Sequence, residues 1–207
     1  MRTRWFILLA VALFAASPAW AGAQREEALA ANVASAMSRS VSDINAPRLV
    51  FEDPREGPLW LAEMSRRLQA RIPDQWMRER LLTAVQYEAT RAGLDPQLVL
   101  GLIQVESGFN KYAISPVGAR GLMQVMPFWV RSIGTPAHNL FELTTNLRYG
   151  CTILRHYIDM EGGNLFRALG RYNGSLGQAT YPNLVVGAWK RHWLWLPPRG
   201  DKLAQVY

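Results

Sequence analysis

The sequence contains a single cysteine, Cys151, among its 207 residues. One cysteine cannot form an intramolecular disulfide, and it cannot supply a multi-cysteine metal site. The three histidines, His138, His156 and His192, are too scattered along the chain to match a zinc-binding motif. We therefore expect a protein that works without a metal ion and without any other cofactor.

Charged residues are also scarce: they make up 19% of the chain, whereas hydrophobic residues make up 49%. This balance excludes global disorder and allows a hydrophobic core. A chain of this length has room for one domain with an additional arm, and too little for two full domains. The formal net charge of +7 suits an anionic partner such as a cell-wall polymer or a lipid surface, although ordinary solubility charge explains it equally well.

The apolar run at residues 6–16 has eleven residues, which is too few to span a bilayer. Two arginines precede this run, and small residues follow it in the arrangement that signal peptidase requires. We interpret residues 1–21 as a secretory signal peptide cleaved after Ala21, although cleavage two residues later also fits. An uncleaved anchor or a buried core helix is the alternative. We expect an exported, periplasmic, cell-wall-associated protein whose mature chain has no transmembrane anchor.

No segment shows sustained two-residue alternation with β-branched residues, and no internal repeat is present. Proline and glycine divide the rest of the chain into stretches with helical apolar spacing. Asp74 is placed to cap one helix, and Asp95 and Pro96 occupy the N-cap and first position of the next. The fold class is therefore mostly α, with helices predicted near residues 26–44, 60–72, 74–91, 96–108, 144–161, 165–171 and 185–195.

The helix that begins at Pro96 is almost wholly apolar and is predicted to be central and buried. It carries one acidic residue, Glu106, in its last turn, just before Gly108. Burial and the negative end of the helix dipole both raise the pKa of a carboxyl group at this place. A carboxylic acid that stays protonated near neutral pH is what general-acid catalysis requires. This helix alone is equally compatible with a structural Glu106 that reaches solvent or pairs with an arginine such as Arg120.

Two further segments carry polar side chains that a substrate could use. Gln124 is an amide within an otherwise apolar run, and it follows a turn marked by proline and glycine. A buried glutamine needs hydrogen-bond partners, which are either a substrate amide or hydroxyl or the protein itself. Tyr172 and Asn173 end a helix and open a glycine-rich loop, where they either face a cleft or belong to an ordinary Asn-Gly turn.

The pattern of these residues resembles the signature of soluble lytic transglycosylases, the lysozyme-like enzymes of glycoside hydrolase family 23. The resemblance covers roughly residues 77–190, in order and with similar spacing, and residues 22–74 have no counterpart in it. It is carried by Gln104, Glu106, Ser107, Gly108, Phe109, Ala113, Ser115, Gly118, Ala119, Gly121, Leu122, Met123, Gln124, Met126 and Pro127, and downstream by Asn146, Gly150, Gly163, Asn164, Ala168, Tyr172 and Asn173.

The resemblance implies a lysozyme-like globular helical domain with an N-terminal helical arm. It implies that Glu106 is the catalytic residue and that Tyr172 orients it. Gln124 and Asn173 would hold sugar amides or hydroxyls, and Ser107 is interpreted as structural. The implied substrate-binding residues are Ser115, Gln124, Met126, Tyr172 and Asn173.

These inferences divide the chain into four parts. We expect a signal peptide at residues 1–21 and an N-terminal helical arm at residues 22–74. The lytic transglycosylase catalytic domain would then occupy residues 75–196, followed by a C-terminal tail at residues 197–207.

Most glycosidases use two carboxylates, but after Glu106 the chain has only Glu142, Asp159, Glu161 and Asp201. None of these lies in the matched motifs, so the second group would come from elsewhere, and the N-acetyl group of the substrate is a reasonable source. The resemblance implies cleavage of the bond between N-acetylmuramic acid and N-acetylglucosamine in peptidoglycan. Glu106 would protonate the glycosidic oxygen and then deprotonate the muramoyl 6-hydroxyl, which gives a 1,6-anhydro sugar.

Two alternatives remain open from the sequence. A hydrolytic lysozyme-like muramidase would use water in place of the 6-hydroxyl, and a peptidoglycan-binding or assembly protein would keep the fold without catalysis. In each case the expected partner is the glycan strand of peptidoglycan, and no nucleic-acid partner is expected. A cell-envelope assembly or secretion apparatus is a further candidate partner.

Overall fold

The computed structural model describes residues 24–197 of the chain. The inferred signal peptide, and all of the inferred C-terminal tail except Pro197, lie outside the described residues. None of the helices is long and apolar enough to cross a membrane, and the described residues contain no β-strand, only isolated bridges within residues 114–125. The mostly α-helical fold is therefore confirmed. In chain order the helices are α1 (Ala31–Val41), α2 (Glu56–Leu68), α3 (Gln75–Arg91), α4 (Pro96–Ser107), α5 (Phe128–Ile133), α6 (Leu143–Met160), α7 (Leu165–Asn173) and α8 (Thr180–Ala188), followed by one π-helical turn (Trp189–Trp193).

The beginnings of α3 and α4 lie where the sequence predicts them. The Asp74 side chain accepts a hydrogen bond from the backbone N–H of Met77 at 2.7 Å, and Asp95 does the same for Gln97 at 2.7 Å. These bonds satisfy backbone donors that have no partner within the first turn of a helix. Pro96 occupies the first helical position, where its missing N–H is not needed.

Helix α4 forms the centre of the molecule, since it packs against α3, α8 and the π-helical turn. Its close contact with the π-helical turn depends on Gly101, because a Cβ atom there would lie 2.8 Å from the backbone nitrogen of Trp189. The side chains of α4 that are fully or almost fully buried are Leu98, Val99, Leu100, Leu102 and Ile103. The apolar composition of this helix thus reflects contact on all sides, and it places Glu106 at the edge of the core.

The segment that we expected to form an N-terminal helical arm contributes α1 and α2. Helix α1 packs against α5 and α6, and α2 packs against α3 and the π-helical turn. The two helices share one core with the rest of the described chain, to which they contribute Met37, Val41, Trp60, Met64 and Leu68. These residues bury enough apolar surface for the two helices to stay attached to that core.

Several helix boundaries differ from the sequence-based predictions. Helices α2 and α8 begin earlier than expected because Pro58 and Pro182 lie within their first turns. A proline is tolerated there, since the N–H groups of the first turn have no helical partner in any case. The short helix α5 was not predicted. Helix α1 begins at Ala31 instead of near residue 26, and residues 24–30 precede it in non-helical conformation.

Candidate active site

Glu106 lies in the last turn of α4 and is buried, with 6% of its surface exposed. Burial raises the pKa of this carboxyl group from 4.5 to about 8, and a hydrogen bond from Tyr181 opposes the rise in part. Its Oε1 atom accepts that hydrogen bond, and its buried Oε2 atom has no hydrogen-bond partner among the described residues. The carboxyl group is therefore mostly protonated at neutral pH, and one of its oxygens is not committed to the protein.

The structural alternative for Glu106, an ion pair with Arg120, is not formed. The guanidinium carbon of Arg120 lies 5.9 Å from the centre of the Phe141 ring, an arrangement typical of a cation–π contact. Within residues 24–197, no basic side chain forms a salt bridge with Glu106. No cation beside Glu106 offsets the effect of burial on its pKa, and the hydrogen bond from Tyr181 offsets it only in part.

Tyr181, on the first turn of α8, is the residue that holds Glu106 in place. Its hydroxyl donates a hydrogen bond to Glu106 Oε1, and only 3% of its surface is exposed. Burial raises the pKa of the Tyr181 hydroxyl well above its ordinary value, and the neighbouring carboxyl adds to that rise. A neutral phenol that donates to a carboxyl oxygen stabilises the carboxylate when the proton leaves.

The orienting role that we assigned to Tyr172 therefore needs correction. The Tyr172 hydroxyl donates a hydrogen bond to the backbone carbonyl of Met123 at 2.7 Å, and the residue is fully buried. The hydrogen bond to Glu106 comes instead from Tyr181. Tyr172 supports the loop beside Glu106, and its neighbour Asn173 is buried at the C-terminal end of α7.

Gln124 lies in the loop that follows α4, and its side chain is used by the protein. The side-chain amide donates hydrogen bonds to the backbone carbonyls of Gly121 at 2.8 Å and Ala113 at 3.2 Å. Gln124 lies in the turn between Arg120 and Val125, which form an isolated bridge, and its φ is positive at 47°. The amide therefore fixes the loop, as in the protein-bound alternative that the sequence left open.

Asn146 on α6 anchors the same loop from the other side. Its amide donates to the carbonyls of Arg120 and Leu140, each at 2.8 Å, and its carbonyl oxygen accepts from the N–H of Met123 at 2.8 Å. Gly121 allows this approach, because a Cβ atom there would lie 2.4 Å from the Asn146 side-chain nitrogen. One buried amide thus fixes the loop to α6 at two backbone positions, and it binds a third in the segment between α5 and α6.

Ser115 and Met126 lie half-buried at the two ends of the loop. The Ser115 hydroxyl accepts a hydrogen bond from the N–H of Ala119 at 3.1 Å, which closes the turn between them. Ser107 donates to the carbonyl of Leu122 at 2.7 Å and so ties α4 to the loop, in agreement with the structural role expected for it. The structure therefore brings Glu106, Tyr181 and this loop into one site.

The carboxylates that follow Glu106 are used elsewhere in the fold. Glu161 accepts hydrogen bonds from Arg167 and Arg171, and these contacts lower the pKa of its carboxyl group. Asp159 forms an ion pair with Arg155 on the same helix. Glu142 immediately precedes α6, and the fourth acid, at position 201, lies outside the described residues. None of the described three is placed beside Glu106 by a hydrogen bond.

Sequence reasoning missed two residues of this site, Tyr181 and Gln24. Tyr181 is 75 residues from Glu106, and Gln24 reaches the loop through contacts with Met126 and Trp129 more than 100 residues away. No local pattern marks either residue. Tyr181 could have been recognised only from the packing of α8 on α4.

Comparison with known proteins supports the resemblance found in the sequence. Residues 83–183 match the family model of the transglycosylase SLT domain. The transglycosylase of Enterobacteria phage PRD1 is 41% identical over 88 residues, which are 42% of this chain and 32% of that protein. The membrane-bound lytic murein transglycosylase C of Mannheimia succiniciproducens is 50% identical over 62 residues, 30% of this chain and 16% of that protein.

This chain thus spans about a third or less of the length of these two relatives. Among solved structures, an inactive mutant of the lytic transglycosylase Slt from Pseudomonas aeruginosa is 19% identical to this chain, with a TM-score of 0.43. The match covers 80% of this chain and 34% of that one. The matched range, residues 83–183, contains Glu106, Tyr181 and the loop that follows α4. The similarity to SLT-type lytic transglycosylases that the sequence predicted is therefore confirmed.

Proposed function

We propose, from the match of residues 83–183 to the transglycosylase SLT domain, that this protein is a peptidoglycan lytic transglycosylase in which Glu106 serves first as general acid and then as general base. The observation that carries the proposal is the state of Glu106. It is a buried carboxyl group without a cationic partner, with a pKa of about 8 and a hydrogen bond from Tyr181.

In the first step the protonated Glu106 donates its proton to the oxygen that links N-acetylmuramic acid to N-acetylglucosamine. The bond between that oxygen and C1 of the muramoyl residue breaks, and positive charge develops at C1. Glu106 becomes a carboxylate, and the Tyr181 hydroxyl stabilises it through the existing hydrogen bond. The N-acetyl group of the substrate is placed to stabilise C1, since no second carboxylate is available from the loop.

In the second step the Glu106 carboxylate accepts the proton of the muramoyl 6-hydroxyl while the oxygen of that hydroxyl bonds to C1. This closes the 1,6-anhydro ring and returns Glu106 to its protonated state, so no water is consumed. The 6-hydroxyl belongs to the same sugar as C1, and an intramolecular nucleophile avoids the entropy loss of bringing in a free one. A raised pKa suits a group that must alternate between donor and acceptor near neutral pH.

The test is mass spectrometry of the muropeptides released from purified sacculi, without prior reduction. We expect products that end in 1,6-anhydro-N-acetylmuramic acid, which are lighter by one water than hydrolytic products. Cleavage should continue in the presence of a chelator and should be absent in the Glu106→Gln variant. Mainly reducing-end products would identify a hydrolytic muramidase, and binding of sacculi without any product would identify a non-catalytic protein.

We further propose that the protein acts on the cell wall after export to the periplasm. The support is the signal-peptide pattern at residues 1–21 and the murein-directed relatives. Fractionation of cells that express the protein, with N-terminal sequencing of the exported form, tests this. Recovery of the uncleaved chain in the cytoplasm would contradict it.

A further inference from the structure

Residues 24–27, here called the strap, contact the loop beside Glu106 and helices α5 and α7. Gln24 is buried, with 4% of its surface exposed, although it lies outside any helix and carries a polar side chain. A buried carboxamide is unfavourable unless its donor and acceptor atoms find partners. Gln24 finds these partners in the loop beside Glu106, at positions 100 and 102 residues further along the chain.

Both polar atoms of the Gln24 side chain are satisfied by groups of the site. Its Nε2 donates to the backbone carbonyl of Gln124 at 3.2 Å. Its Oε1 accepts from the backbone N–H of Met126 at 3.2 Å and from the indole N–H of Trp129 at 3.1 Å. The side chain also lies beside the hydroxyl of Tyr172. The loop and the start of α5 together therefore present one acceptor and two donors in an arrangement that fits a planar amide.

An N-acetyl group offers the same chemistry as this carboxamide, because it too is a planar amide with an N–H donor and a carbonyl acceptor. Gln124, Met126 and Tyr172, which contact Gln24, are three of the residues that the family resemblance implies as substrate-binding. We propose that Gln24 is an intramolecular ligand that occupies the position of a substrate N-acetyl group, so that the strap must leave before a glycan strand binds. The proposal rests on the proposed function, since it assumes an N-acetyl sugar as substrate.

The other contacts of the strap are suited to reversible attachment. Glu26 pairs with Arg131 on α5 at 3.5 Å, and Glu27 pairs with Arg171 on α7 at 3.5 Å. The two glutamate side chains are 59% and 50% exposed. Exposed ion pairs of this length contribute little to stability and are screened by salt. The strap is therefore held at one buried side chain and by two weak pairs, one to α5 and one to α7.

The strap also covers a cavity that a ligand could use after the strap leaves. The cavity has a volume of about 270 Å³. Arg25 and Glu27 of the strap form one wall, and Tyr157, Arg171 and Ser175 contribute to the others. The Ser175 hydroxyl is buried without a hydrogen-bond partner among the described residues. The cavity therefore offers an uncommitted hydroxyl to a ligand once the strap has left.

The experiment compares Gln24→Ala with wild type in the full protein purified after export. Binding of triacetylchitotriose, an N-acetyl sugar, is measured by titration calorimetry in the inactive Glu106→Gln background, and KM on sacculi is measured with Glu106 intact. We expect the dissociation constant of the trisaccharide to fall by about threefold or more, because the apparent dissociation constant is the intrinsic one divided by the fraction of molecules whose site is open. KM on sacculi should fall in parallel. The matched control is Gln69→Ala, at an exposed position, which should behave as wild type.

The ion pairs provide a second arm. Glu26→Gln together with Glu27→Gln should also tighten trisaccharide binding, and salt should then affect binding less than in wild type. The control is Glu52→Gln at an exposed position. This arm separates release of the strap from any direct effect of the Gln24 substitution on the loop.

Three outcomes would overturn the inference. Weaker binding in Gln24→Ala, or failure of that variant to fold, would identify Gln24 as a structural contact that holds the loop. Unchanged binding in both arms would show that the strap and the sugar do not compete. Failure of the proposed function is distinguishable, because it would appear as missing anhydro products from wild type, whereas the binding comparison does not depend on turnover.

Discussion

Replacement of Glu106 by Gln should change the pH dependence of stability as well as activity. The pKa of the folded carboxyl group, about 8, lies above its ordinary value of 4.5. A group of this kind supports folding fully below pH 4.5 and loses that contribution as the pH rises through the folded value. At about 1.36 kcal/mol for each pH unit, the whole loss amounts to about 5 kcal/mol. The amide of the Gln variant does not titrate and loses nothing.

The measurement is the free energy of unfolding in urea at pH 5 and pH 9. Between these two values the Gln variant should gain about 4 kcal/mol relative to wild type, because most of the wild-type loss falls in this interval. The buried Oε2 position has no partner among the described residues, so an amide nitrogen there costs about 1–3 kcal/mol. That cost is the same at both pH values and cancels in the comparison.

The exposed Glu52→Gln variant controls for the loss of one carboxylate. Parallel pH profiles for wild type and Glu106→Gln would refute the reasoning, because they would mean that Glu106 ionises alike in the folded and unfolded states. In the activity assay the same variant should lose at least about 10²-fold in turnover, the typical contribution of general-acid catalysis. Retained activity in a folded Glu106→Gln protein would exclude Glu106 as the proton donor.

Three further substitutions test the residues that hold Glu106 and the loop beside it. Tyr181→Phe removes the hydrogen bond that lowers the pKa of Glu106, so the loss of kcat/KM at alkaline pH, expected near pH 8 in wild type, should move to higher pH. Tyr172→Phe should not change the pH at which kcat/KM falls, because the Tyr172 hydroxyl donates to a backbone carbonyl. Equal shifts in both variants would contradict the conclusion that Tyr181, and not Tyr172, holds Glu106. Asn146→Ala removes three buried hydrogen bonds and should lower the free energy of unfolding by about 3 kcal/mol in urea titrations. A loss no larger than that of Asn183→Ala, at an exposed position, would show that the loop does not depend on this anchor.

A second buried glutamate shows why burial alone does not identify an acid catalyst. Glu88 on α3 is fully buried, like Glu106, but it accepts hydrogen bonds from Arg148 at 2.9 and 3.0 Å and from Arg91 at 2.9 Å. The contacts from Arg148 tie α3 to α6, so this buried glutamate has a structural role. Glu106 has a phenol and no cation in that place, so its neutral form is favoured.

The sequence by itself determined the parts of this protein that depend on neighbours along the chain. Asp74, Asp95 and Pro96 mark the beginnings of α3 and α4 because capping uses atoms two or three residues away. The apolar run of α4 has one acidic residue, so the sequence predicts a buried helix and makes Glu106 a candidate for a raised pKa, while a Glu106 that reaches solvent or pairs with an arginine is equally compatible with it. The boundaries of α2 and α8 were less certain, since a proline fits the first turn of a helix as well as it ends one.

Only the tertiary structure decided which side chains surround that acid. Tyr181 contacts Glu106 because α8 packs on α4. Gln24 forms hydrogen bonds with the loop because residues 24–27 pack against it. These contacts join residues that are 75 to 105 positions apart. Hydrophobic period and capping patterns report on a few turns of one helix at most. Contacts of this range are set by how whole elements pack, and no local pattern carries that information.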